Sequence, residues 1–362
     1  MDYLRYSDAV EVMQPDEDRL GDEIVASMSQ INRAVFDRHR HATRDAHAKS
    51  HGILKGELVV DADLPAHLAQ GLFAQAGRYD VIIRLSSAPG DIHSDKVPAL
   101  RGMAIKVLGV AGERLLPGDL GSTQDFLLVS APTIPFGHVR AYHEFQHTLQ
   151  QLDGVSDTLQ AAAAALARGA QTVFDAVGVK APLVVTGQSI PNDHILGETF
   201  HSMAAIRFGD HVAKISAAPD SPQVRALTGV AVDAHEGYSV LRDLVVDFFR
   251  RQGAEYRLRA QLCTDLSTMP VEDASVVWPE EASPHQPIAR LVIPPQEAYS
   301  PARRVFGDDR LSFNPWHGIA PHRPLGSIMR VRAKAYEASS AFRHAMNVQP
   351  RVEPKDISEL PD

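Results

Sequence analysis

Between residues 51 and 130 one texture recurs: short β-prone runs, ILKGELVV, VIIRLSS, GMAIKVLGV and DFLLVSA, each cut off by Gly, Pro or Asp. Branched aliphatic side chains in runs of this length pair as strands, and the breakers between them turn the chain back on itself. Strand character returns in MAAIRFGDHVAKISAAP and YRLRAQLC, with helical texture over residues 239–251 between them. Helical segments fall before, between and after the strands, so the order predicts an α+β domain built around a barrel-like sheet.

The helical segments can be placed by their periodicity. Residues 16–40 carry Leu20, Ile24, Val25, Met28, Ile31, Val35 and Phe36 at helical spacing and lead into a His/Arg-rich bend. Residues 156–177 are Ala-rich behind a Ser156/Asp157 cap, and residues 326–346 read as a last helix. Residues 268–325 hold many prolines and read as an extended wrap over the surface, and residues 347–362 as a Pro/Glu/Asp tail. The division that follows is an N-terminal helical arm over 1–43, a body over 44–346 and a C-terminal tail.

Composition limits the function classes. The 362 residues are 44% apolar and 22% charged, enough to build a substantial core. Lys and Arg number 36 against 45 Asp and Glu, and the net charge of −9 disfavours nucleic acid and anionic membrane as partners. No run approaches the roughly 20 apolar residues of a spanning helix. The N-terminus has acidic residues where a secretory leader needs a basic end, so a cytoplasmic location is expected. Cys263 is the lone cysteine, and its apolar surroundings read as a buried, inert thiol.

Four constellations could carry chemistry. His143-Glu144-Phe145-Gln146-His147 is an H-E-x-x-H pentad in a helical segment, the spacing that puts two imidazoles on one face for zinc. In a chain with 17 histidines, an exposed polar helix face with Phe145 turned inward is the better reading. Arg44 and His47 stand three apart just before the first strand, where a tight bend can aim both at one cavity or simply solvate them. Arg84 and Ser86 lie two apart on a strand and share a face opposite Ile83 and Leu85. An arginine there needs a partner, and a structural carboxylate would suffice. Arg332 and Tyr336, four apart on the final helix, are neighbours, so the guanidinium can donate to the phenolic oxygen and favour its ionised form, a hard ligand for ferric iron. Taken alone, the pair is equally an ordinary amphipathic contact.

The order RxxHAK, IRLS, LRG-AIK, G-S-T-Q-D-F, VWP and RxxxY, running from about residue 44 to 337, resembles the haem catalases and more closely their short, catalase-related peroxidase branch. The stretches LGETFHSMAAIRFGDHVAKISAAP and LSFNPWHGIAPHRPLGSI are similar to that branch specifically. The resemblance implies a haem b site on an antiparallel β-barrel catalase-like core with surrounding helices. Tyr336 would be the iron ligand, held as phenolate by Arg332, a tyrosine-ligated haem being the pattern for which catalase is the known example. His47 matches the family's distal histidine, which moves a proton from one peroxide oxygen to the other. Ser86 matches the serine that orients it, and Arg44 and Arg84 match arginines that pair with the haem propionates. Ser122 and Thr123 stand in place of the family's Asn-Asn pair, whose amide helps hold peroxide.

The expectation that follows is a haem-dependent peroxidase acting on hydrogen peroxide or organic hydroperoxides with a small reductant, and with weak catalase activity. Set beside that family, the chain is shorter than a typical catalase and is expected to do without much of its C-terminal helical region and the nucleotide site there. An allene oxide synthase-like hydroperoxide isomerase, a non-enzymatic haem-binding protein and a zinc peptidase are the alternatives. The oligomeric state, a homo-oligomer included, stays open.

Overall fold

The computed structural model describes residues 2–119, 121–152, 190–233 and 237–362. The Ala-rich segment at 156–177 lies outside the described residues. Nine strands form one antiparallel sheet: β1 (Ser50–Val60), β2 (Gly77–Ser87), β3 (Arg101–Val107), β4 (Gln124–Val129), β5 (Phe200–His201), β6 (Ile206–Phe208), β7 (His211–Pro219), β8 (Ala254–Leu262) and β9 (Gln286–Ile293). Their spatial order is β5-β4-β3-β2-β1-β9-β8-β7-β6. A further pairing of β5 with β7 closes the sheet into a barrel, and β6 hangs from β7 as a hairpin strand. Closure removes the exposed edges that an open sheet of this length would have to protect.

The period of two along each strand fills the barrel. Leu54 and Leu58 of β1, Val81, Ile83 and Leu85 of β2, and Met103, Ile105 and Val107 of β3 point inward, with Phe126, Ile215, Tyr256, Leu258 and Leu291 from the other strands. The alternate residues of β2, β3 and β4 face outward, and it is on this outer face that helices are laid.

Among the described residues four helices longer than two turns surround the barrel: α1 (Glu17–His39), α2 (Val139–Leu152), α3 (Val240–Arg251) and α4 (Ser327–Asn347). α1 begins with Glu17 and Asp18 and ends with Arg38 and His39, charges that complement the helix dipole at both ends. Its Leu20 and Ile24 pack with Val139 of α2 and Val331 of α4, so the N-terminal arm lies on the helical layer. Among the described residues no helix is long and apolar enough to cross a membrane.

One expectation needs correction. The span 268–325 is not all surface wrap, because β9 lies within it and pairs with both β1 and β8. Its apolar run PIARLVI is bounded by prolines, which masks it in a linear reading; Pro287 sits near the strand's start and Pro294 just beyond its end, where the ladder loses least. The C-terminal tail packs on the barrel. Leu360 is fully buried against Ile53, Ile82 and Phe306, and Glu353 pairs with the buried Lys106 of β3.

Candidate active site

Two register rows on the outer face of the sheet form one wall of a cavity: Arg84–Ala104–Leu127 and Ser86–Gly102–Val129, each read across β2, β3 and β4. The segment 44–47 and residues Ser312 and Phe313 form further walls, and α4 contributes Arg332, Tyr336, Ser339, Ser340 and Arg343. About 660 Å³ of empty space, open solvent at the mouth included, lies between these atoms.

His47 takes a left-handed backbone conformation, φ 58°, which an L-residue keeps only when its surroundings fix it. Here its N–H donates to the carbonyl of Ala88 at 2.8 Å, and its Nδ1 lies 3.1 Å from Ser86 Oγ. The imidazole rests on Gly102: a Cβ there would come within 2.5 Å of Nδ1, so only glycine admits the ring. Burial, reinforced by the charges of Arg84, Arg332 and Arg44, lowers the ring's pKa to about 3. His47 is therefore a neutral imidazole at physiological pH, with Nε2 free of the contact to Ser86.

On α4 the four-residue spacing does what the sequence implied. Arg332 donates to the Tyr336 hydroxyl oxygen at 2.6 Å. Behind them Ser339 Oγ donates to Asp45, whose carboxyl burial pushes above the usual range.

A third group crowds arginines together. Arg84, 2% exposed, donates from Nε to Asp308 at 3.0 Å and from its guanidinium Nη2 to Ala48 O at 3.2 Å. Arg44 donates to the carbonyls of Gly307, Asp308 and Leu311, and Arg343 to those of Asp308 and Leu311. These carbonyls belong to a π-helical turn, Val305–Arg310, and the residue that follows it. The end of that turn leaves acceptors without intrahelical partners, and guanidiniums satisfy them. Burial and the mutual repulsion of the three cations lower the pKa of Arg44 well below the usual value and that of Arg343 to about 10.

No family model and no curated protein sequence matches this chain. Solved structures do. A fungal catalase aligns over 99% of this chain and 72% of its own, with 14% identity and a TM-score of 0.59. A bacterial catalase aligns over 89% and 62%, with 14% identity and a TM-score of 0.59. Catalase A from Saccharomyces cerevisiae aligns over 99% and 74%, with 13% identity and a TM-score of 0.56. The chain has the catalase fold. At this identity the likeness is one of architecture, and the site must be argued from its own residues.

Within this catalase fold, His47, Ser86, Arg44, Arg84, Arg332 and Tyr336 all line one cavity, although they come from distant parts of the chain. Ser122 and Thr123 do not. Ser122 is exposed, and Thr123 Oγ1 donates to Glu353 at 2.7 Å. β4 meets the cavity at Leu127–Val129, and four residues of extended chain separate Thr123 from Leu127, about 13 Å. The place foreseen for a peroxide-holding polar group is thus filled from β4 by apolar side chains. The H-E-x-x-H pentad falls on α2, where His143 pairs with Glu23 at 2.9 Å and the side chain of His147 lies outside the description. Among the described residues no group of three His, Cys, Asp or Glu is disposed to hold a metal ion. Cys263 is buried, its thiol pushed up by burial to about 11.

Sequence reasoning missed Arg343 and Asp308. Arg343 was recoverable, since it lies seven residues beyond Tyr336, two helical turns on the same face. Asp308 had no local signal, because its partners Ser50, Arg84 and Arg44 are more than 200 residues away.

The buried imidazoles give the fold an acid limit. His47 and His322 are lowered to about 3, and His201 and His285 to about 4, chiefly by burial. Unfolded, each ring takes its proton near pH 6.5; folded, only near 3 or 4. The stability they contribute is therefore fully present above pH 6.5 and is lost as pH falls through that window. Each ring costs up to about 1.4 kcal/mol per pH unit there. The melting temperature is expected to drop steeply between pH 6.5 and 4 while staying nearly level from 6.5 to 8. An equal slope on both sides of pH 6.5 would refute this origin.

Proposed function

We propose that this protein is a haem-dependent peroxidase that reduces hydrogen peroxide or organic hydroperoxides, with weak catalase activity. The observation that carries the reading is the convergence on one cavity of a neutral histidine backed by Ser86 and a tyrosine backed by Arg332. The residues present fit a haem. Tyr336 offers a hard oxygen ligand, and on the sheet Ala104, small and outward-facing, adds little bulk beneath a flat ring. Leu127, Val129 and Phe313 supply apolar contact, and Arg44, Arg84 and Arg343 supply positive charge for two carboxylates. The buried Arg343 Nε has no hydrogen-bond partner among the described residues.

Bound haem would supply the redox chemistry that cleaves the peroxide O–O bond. His47 would act through Nε2, accepting the proton from one peroxide oxygen and delivering it to the departing one. Ser86 would hold the ring through Nδ1, and burial keeps the imidazole unprotonated, with a nitrogen lone pair open to the proton, across the physiological range. No carboxamide stands among the residues described as lining the cavity, so a second peroxide finds little to orient it, which supports donor oxidation over disproportionation.

Purified protein supplemented with haem is expected to bind it, to change its absorption spectrum on addition of peroxide, and to oxidise a donor dye faster than it releases oxygen. A bound haem whose spectrum peroxide leaves unchanged would favour a binding protein over an enzyme. Vigorous oxygen release would defeat the peroxidase assignment.

A further inference from the structure

Arg44, Arg84 and Arg343 bring three positive charges to one side of the cavity; the Asp308 carboxylate pairs with Arg84 and Arg44, and Arg343 donates to the Asp308 backbone carbonyl. Asp308 accepts from Ser50 Oγ at 2.6 Å and from Arg84 Nε at 3.0 Å, and lies 3.6 Å from Arg44. Asp309, next in sequence, is engaged elsewhere, with His41 at 2.7 Å. Burial alone would raise the Asp308 carboxyl, yet Arg84 and Arg44 outweigh it and hold it below its ordinary range. It is a charged group at neutral pH.

The three guanidiniums do not depend on that charge for their positions. Arg44 is fixed by three carbonyls, Arg343 by two, and Arg84 by Ala48 O as well as by Asp308. Neutralising Asp308 would leave this framework standing and change mainly the field. We infer that Asp308 is a built-in counter-ion that stabilises the arginine cluster while the cavity is empty and opposes the negative charge of the carboxylates of a bound haem. The inference rests on the haem reading of the cavity. Asp309, buried next to it, adds a second negative charge that acts on Arg44 and Arg343, so Asp308 is one of two carboxylates that balance the three cations. Without Asp308 the cluster is over-charged when empty and attracts a dianion more strongly.

Asp308→Asn keeps the shape and an acceptor for Arg84 while removing the charge. Wild type and D308N are titrated, by absorbance, with haem and with haem dimethyl ester, whose propionates carry no charge. D308N is expected to bind haem on the order of tenfold tighter, the effect of one buried charge several ångströms from another at an intermediate dielectric. Affinity for the ester should be unchanged. The haem-free variant should melt a few degrees below wild type, and haem should close that gap while the ester should not. If D308N fails to fold without ligand, refolding it with either compound replaces the titration, and only haem should rescue it.

Haem affinity equal to or below that of wild type, or an equal gain for haem and ester, overturns the counter-ion role, as does rescue by both compounds or by neither. A wild-type protein that binds neither compound overturns the haem reading itself and this inference with it.

Discussion

Tyr336→Phe is expected to lose most of its bound haem. Phenylalanine keeps the ring's packing in α4 and removes only the oxygen that Arg332 contacts at 2.6 Å, so the loss isolates the ligand from the fold. Among the described residues lining the cavity the one carboxylate is Asp45, and that carboxyl is raised by burial and already engaged by Ser339. Haem content per chain after reconstitution and the absorption spectrum measure the effect, with circular dichroism to check that the barrel is intact. Full haem occupancy with an unaltered spectrum would remove Tyr336 from the site.

His47→Ala should do the opposite: retain haem and lose turnover. A positioned acid–base group contributes about 10²- to 10⁴-fold, so donor oxidation by peroxide is expected to slow by that factor. Haem content should stay near that of wild type, because His47 reaches the cavity from the sheet side and shares no contact with the Tyr336–Arg332 pair. Stopped-flow mixing of the haem-loaded variant with peroxide gives the rate. A wild-type rate would mean that the left-handed backbone at residue 47, and the glycine beneath its ring, serve packing alone.

Much of this was legible in the linear chain because it depends on short-range periodicity. The strands β1–β4 follow from aliphatic runs cut by Gly, Pro and Asp, and α1 and α4 from apolar residues three and four apart. The pairing of Arg332 with Tyr336 follows from helix geometry alone, and the shared face of Arg84 and Ser86 from the pleat. β9 was not legible, because flanking prolines that mark loops elsewhere here stand near the strand's ends, where an unmade ladder bond costs little.

Register across strands and contacts between distant segments decided the rest. Motif order placed Ser122 and Thr123 beside the histidine, but distance along an extended strand put them near Glu353 instead. Conversely, nothing near Asp308 in sequence marks it, and only the packing of the π-helical turn against β1, β2 and α4 brings it among three arginines. The sequence by itself determined the elements and the pairs within them, since those are set by bonds a few residues long. The tertiary structure alone decided which charges share one buried space, because burial and mutual repulsion depend on every element that closes around the cavity.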